Sequence, residues 1–184
     1  MCRGTNAWIF AVLISAALIL LPCCGKSNMK GGFESITFTP DARGEPGAVW
    51  LELANSDAGN GRFTLKVIGE GMNAYGVGAW LDFDTSACVL KAGYAGDALM
   101  APGYQVIADA RPVNTGGIFG FTRSGSADAS AEVWKNKPIG LLDFGVKKAG
   151  SLKITFNTDH SRVMTHKLEK LEPVKWIGGT VTVK

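Results

Sequence analysis

The chain has 184 residues, with 19 Lys and Arg against 16 Asp and Glu and a formal net charge of +3. A nucleic-acid binder needs a strongly basic face, so this near balance excludes that class. Of the four cysteines, Cys2, Cys23 and Cys24 crowd the start and leave Cys88 alone in the remainder, which excludes a disulfide there.

The chain opens with a signal for export. Arg3 is the first charge, and residues 7 to 21 form an apolar run of about 15 residues, too short to span a bilayer and right for the h-region of a secretory signal peptide. Leu21-Pro22-Cys23-Cys24-Gly25 follows, and a Cys directly after an h-region resembles the bacterial lipobox, whose Cys is lipidated and becomes the new N-terminus. Cleavage there needs a small residue before the lipidated Cys. Pro22 fails that test for Cys23, so the lipid is expected on Cys24, with residues 1–23 as the lipoprotein signal peptide. Gly25 stands where Asp would signal inner-membrane retention, which gives an outer-membrane destination with the domain on the periplasmic or cell-surface side. Residues 24–32 make the anchor and, through GKSNMKGG, a flexible tether. Residues 33–184 are then one domain, large enough to bury a core.

Strand signals fill that domain. Residues 33 to 38 (FESITF) alternate, and residues 48 to 54 (AVWLELA) put Val49, Leu51 and Leu53 on one face and Trp50 and Glu52 on the other. The loop at 55 to 61 precedes residues 62 to 69 (RFTLKVIG), with Phe63, Leu65 and Val67 on the core side. Residues 74 to 93 organise the rest: Tyr75, Val77, Ala79, Leu81 and Phe83 alternate with Gly76, Gly78, Trp80 and Asp82. Asp84-Thr85-Ser86 turns the chain, and Cys88 and Leu90 resume the alternation as core residues. A loop holding Tyr94 is expected next, then strands at 105 to 110, 117 to 122, 139 to 146, 151 to 157 and 177 to 183, with residues 163 to 171 open between strand and short helix. About nine or ten short strands without a helical period read as an all-β, antiparallel two-sheet sandwich.

Residue types for catalysis are sparse. The sequence has no G-x-S-x-G elbow, H-E-x-x-H or phosphate-cradling loop. Asp159-His160-Ser161 has triad residue types, but neighbours on extended chain point apart, so a polar loop explains them. His166 reads as solvated. Asp82 and Asp84 could share a face with hard-cation potential, yet two carboxylates are too few for such a site and a turn cap explains Asp84; Asn55, Asp57 and Asn60 read as a hairpin loop. No cofactor or metal is expected.

The segment Leu81-Asp82-Phe83-Asp84-Thr85-Ser86-Ala87-Cys88 resembles the "LxYDPxxL" pattern of cohesin domains and related carbohydrate-binding modules, with Thr85 in place of Pro. Residues 139 to 146 (IGLLDFGV), 147 to 156 (KKAGSLKITF) and 178 to 183 (GGTVTV) resemble the later strands of that family. The resemblance runs from about residue 62 to the end and implies a jelly-roll sandwich and a non-catalytic recognition role. The Asn-x-Asp that type I cohesins use toward dockerin falls here on Gly76 and Gly78. The reading that follows is a lipid-anchored monomer that binds a protein, dockerin-like or an envelope component, on the face bearing Gly76, Gly78, Trp80 and Asp82. Polysaccharide binding, with Trp50 sharing the stacking surface, and assembly within a secretion or pilus system are the alternatives.

Overall fold

The computed structural model of the chain describes residues 32–100, 102–125 and 133–184. The expected signal peptide, Cys24 and all of the expected tether but Gly32 lie outside the described residues. Eleven strands follow in order: β1 (Ile36–Pro40), β2 (Ala48–Asp57), β3 (Arg62–Asn73), β4 (Gly76–Asp82), β5 (Cys88–Ala95), β6 (Gln105–Val113), β7 (Gly116–Ser124), β8 (Val133–Val146), β9 (Gly150–Met164), β10 (Lys175–Ile177) and β11 (Gly179–Val183). They form a six-stranded sheet ordered β1-β11-β9-β4-β7-β6 and a five-stranded sheet ordered β10-β2-β3-β8-β5. The expected jelly-roll sandwich is present, with one departure. β10 pairs with β2 in parallel, because residues 175 to 177 run beside 48 to 50 rather than continuing the closing strand.

Alternation decides which side chains meet between the sheets. Val77, Ala79, Leu81 and Phe83 of the organising segment are buried, as are Phe63, Leu65 and Val67 of β3 and Leu142 and Phe144 of β8. Phe63 stacks on Phe144 with centroids 4.9 Å apart, and Phe83 meets Phe144 edge-on at 5.7 Å. Each such aromatic pair adds about 0.5–1.5 kcal/mol beyond its burial. Between the sheets, Phe121 of β7 fills the space over Gly140 of β8: a β-carbon on Gly140 would lie 2.1 Å from the Phe121 ring. Arg123, at the end of the same strand, is buried; its Nε donates to Leu99 O at 2.8 Å and its Nη2 to Ala98 O at 2.9 Å, which ties down the segment after β5.

The turn after Phe83 carries the chain from one sheet to the other. Asp84 Oδ1 accepts the Ser86 amide at 2.8 Å, and the Asp84 carbonyl accepts from the amides of Ala87 and Cys88. The Ser86 hydrogen bonds, and then Lys148 beside them, hold the Asp84 carboxyl at about 2. Cys88 begins β5 in the core, and burial pushes its thiol up to about 12.

Strands run longer than their hydrophobic patterns. β5 takes in Tyr94, expected in a loop, because Leu141 of β8 pairs with it, and β9 continues through the polar stretch 157–162 to Met164. The open segment at 163 to 171 is thus strand to Met164, then a turn and a bridge between Met164 and Lys170. Pro40 and Pro112 lie on β1 and β6, the outer strands of the larger sheet, where a missing amide costs no ladder bond, and Pro138 lies at a register shift in β8.

Candidate recognition face

The outer surface of β9, β4, β7 and β6 is built from the residues that alternate with the core. Register sets Thr122, Gly76 and Met164 in one row, Asp109, Gly120, Gly78 and Arg162 in the next, and Arg111, Ile118, Trp80 and Asn157 in a third. These rows enclose a shallow groove of about 450 Å³, lined among others by Trp80, Ile118, Met164, Asp109 and Arg162. Gly78 and Gly120 form its floor. Trp80 is 36% exposed and stands at one side.

The three glycines of this face differ in what they do for the fold. A β-carbon on Gly76 would lie 2.6 Å from Thr122 Oγ1 and 3.0 Å from Phe121 O, so its absence is a packing requirement. At Gly78 the nearest atom would be Phe119 O at 3.8 Å, and at Gly120 nothing lies within 4 Å. Gly76 is itself buried, which removes it from the accessible surface expected of it; Gly78 and Gly120 are the open pair.

A protrusion of β9 overhangs the groove. Gly78 pairs with Arg162 and Trp80 with Asn157, so Ala79 alone on β4 faces residues 158 to 161 on β9. Ser161, only 2% exposed, holds this bulge: its hydroxyl donates to Asn157 O at 2.6 Å and accepts the Trp80 amide at 3.3 Å. The Arg162 guanidinium gathers the carbonyls around it, donating to Ser161 O at 2.7 Å and to Asp159 O at 2.6 Å. The bulge sets the His160 ring against the Trp80 indole, centroids 4.8 Å apart. Bulges commonly re-aim a side chain in this way. Asp159, His160 and Ser161 point in different directions, Ser161 inward and His160 over Trp80, so they do not converge as a triad.

Asp82, expected on the binding surface, accepts from Asn157 Nδ2 at 3.1 Å and lies outside the groove lining. Asp84 is spent on the turn, and Asp57 accepts from the backbone and side chain of Asn60. His166 is exposed. Among the described residues, no three His, Cys, Asp or Glu side chains gather as a metal site.

Trp50 corrects the expectation of a shared aromatic surface. It is 3% exposed and packs with Ala48, Ile68 and Ile177 in a small second core on the outer side of the other sheet. Gly44 lies so close to the indole that a β-carbon there would be 2.4 Å from the ring, and the Trp50 Nε1 donates to Glu52 Oε1 at 2.7 Å. The segment before β2, with β10 beside it, covers this tryptophan, so it offers no stacking surface and lies on the sheet opposite Trp80.

No protein-family model matches the sequence, and no curated protein matches it. Solved structures do. The type II cohesin dyad of the ScaA adaptor scaffoldin of Acetivibrio cellulolyticus aligns with 72% of this chain at a TM-score of 0.54 and 13% identity. The fold is cohesin-like. This chain spans 47% of that dyad, about half its length. A type II cohesin–X-dockerin complex from the same organism matches at a TM-score of 0.53 and 14% identity, over 70% of this chain and 92% of the matched one. A single type II cohesin domain from its cellulosome gives 0.52 and 13%, over 70% and 89%. On the cohesin-like frame, the cross-strand partner of Gly78 and the overhang of β9 are the features that the sequence pattern did not disclose.

Proposed function

We propose that the chain is a non-catalytic recognition module that binds a protein partner, dockerin-like or an envelope component, through the outer face of β9, β4, β7 and β6. A lipid on Cys24 holds it at the outer membrane. The open glycine pair carries the reading. Glycine inside a strand costs about 0.5–1 kcal/mol relative to alanine, and neither Gly78 nor Gly120 has a neighbour in the fold that requires it. A surface that keeps two such residues side by side, flanked by Trp80, Ile118 and Met164, is suited to close approach of another backbone. Asp109 and Arg162 then frame the apolar floor with opposite charges, as a polar rim does around an interface core. Support from the fold is of the same kind, since one of the matched structures is a cohesin in complex with an X-dockerin. A partner side chain packed on Trp80 is worth on the order of 2 kcal/mol or more, as central aromatic anchors are.

A photo-crosslinking residue placed at Gly120 in producing cells tests this, with the same residue at Lys66 on the opposite face as the control and an alkyne fatty acid fed to mark the lipidated chain. The expected result is a discrete protein adduct from position 120 and not from 66, with the fatty acid lost in Cys24→Ser. Adducts from position 66 alone would overturn the assignment of the face.

A further inference from the structure

We propose that the opposite side of the sandwich holds a second binding site, for a neutral saccharide chain, centred on the row Asn55, Thr64, Asp143 and Ala92. Register places these four directly across β2, β3, β8 and β5: Asn55 opposite Thr64, Thr64 opposite Asp143, Asp143 opposite Ala92. Their side chains are short, and taller ones stand beside them, so the row is the bed of a trough of about 430 Å³. Tyr94, 51% exposed, rises at the β5 end, and Asp57 and Arg62 stand at the other.

Both ends of the row are shaped by irregularities. The β2 register shifts between Leu53 and Asn55, and the β5 register shifts between Leu90 and Ala92. Each bulge thus falls immediately before a residue of the row, on the two strands that flank β3 and β8, whose own pairing is regular from Arg62 to Val67. In β5 the shift leaves Lys91 as the extra residue, and its aliphatic stem lies along Gly145, where a β-carbon would meet Lys91 Cε at 3.0 Å. Gly145 pairs with Arg62, so both cations border the row on its Gly145 side. A plain sheet face needs neither bulge. Bulges at corresponding positions on both sides curve the face and turn its side chains toward one place.

The chemistry of the lining selects the ligand. Asp57 and Asp143 balance Arg62 and Lys91, so the trough carries no net charge to favour an anion or a cation. Thr64 Oγ1 donates to Asp143 Oδ1 at 2.7 Å, which leaves the second carboxylate oxygen and the hydroxyl lone pairs as acceptors. Arg62, Lys91 and the Asn55 amide supply donors in the same lining. A ligand that presents donors and acceptors together on adjacent atoms, without charge, satisfies this set, and vicinal hydroxyls on a pyranose ring do so. Tyr94 adds the remaining element, a rigid flat ring able to cover the C–H face of a sugar while its hydroxyl remains in water. The lining here is more polar than that of the groove floored by Gly78 and Gly120 on the other face. The two sites lie on opposite sheets and are independent of one another.

The test applies the full-length chain, in detergent micelles, to a microarray of neutral and acidic plant and microbial polysaccharides, followed by affinity electrophoresis in the polymers retained. The expected result is retention on at least one neutral polysaccharide, weakened at least tenfold in Tyr94→Ala and in Asn55→Ala and unchanged in Trp80→Ala. Tyr94 and Asn55 are exposed, so both variants fold. No retention on any neutral polymer, retention on acidic polymers alone, or unchanged retention in Tyr94→Ala would each overturn the proposal. None of these results bears on protein binding through the groove of Trp80.

Discussion

Gly78 and Gly120 are direct cross-strand partners, and an added methyl group at either would meet ordinary space. Gly76, two residues before Gly78 on the same strand, would bring its methyl within 2.6 Å of the Thr122 hydroxyl. Chemical denaturation should therefore separate them. Gly78→Ala and Gly120→Ala are expected to stabilise the fold by about 0.5–1 kcal/mol each, since alanine loses less backbone freedom in a strand. Gly76→Ala is expected to destabilise it by about 1–3 kcal/mol through overpacking. Loss of stability at position 78 or 120 would mean that the fold itself requires these glycines and would remove the main support for a binding face there.

The two tryptophans should part in the same way. Trp50→Ala empties a closed space between Ile68, Ile177 and the chain at Gly44, and should cost about 3–5 kcal/mol. Trp80 has its indole against His160 and is 36% exposed, so Trp80→Ala should cost less, about 1–2 kcal/mol. Thermal melts of the two variants check this. A Trp80 variant as unstable as the Trp50 one would mark Trp80 as a core residue and not an anchor for a partner.

Acid should loosen the crossing between the sheets. Asp84 titrates at about 2 in the folded chain against an ordinary value of 3.8, because the Ser86 hydroxyl and amide and then Lys148 favour its carboxylate. A folded-state value below the unfolded one means that the contribution is present above pH 3.8 and is lost as the pH falls toward 2. Denaturation midpoints measured from pH 5 down to pH 2 should fall more steeply for the parent chain than for Asp84→Asn, which has no charge to lose. Parallel curves would show that the turn contributes nothing pH-dependent.

Much of the fold was legible because alternation within a strand is a local property. Phe63, Phe83, Phe144 and Cys88 are core residues as their phase indicates, and Asp84 caps the turn that its neighbours Thr85 and Ser86 suggest. What depends on partners distant in the chain was not legible. Trp50 has the phase of an outward residue and is outward, yet residues before β2 and the parallel strand β10 close over it, and no pattern in residues 48 to 54 encodes that cover. The polar run 157–162 lacks an apolar period because its strand is broken by a bulge, held by Ser161 and Arg162 rather than by hydrophobic phase. Tyr94 looked like loop because the shift after Leu90 interrupts the alternation just before it. Gly78 was visible as a small residue beside Trp80, but the pairing that sets Gly120 next to it comes from a strand some forty residues on.

The prolines on β1 and β6 have a consequence for molecules packed side by side. A bare sheet edge offers a row of amides and carbonyls on which a second copy can template, and successive additions lead to fibrils. Pro40 and Pro112 each remove an amide from the outer strands of the larger sheet. In the smaller sheet, β10 is only three residues long, and Gly93 of β5 lies close against Ala110 of β6. Each margin of the sandwich is therefore shortened, interrupted or leaned upon by its neighbour. High local density on a surface would then multiply the number of available grooves without inviting the copies to polymerise into one another.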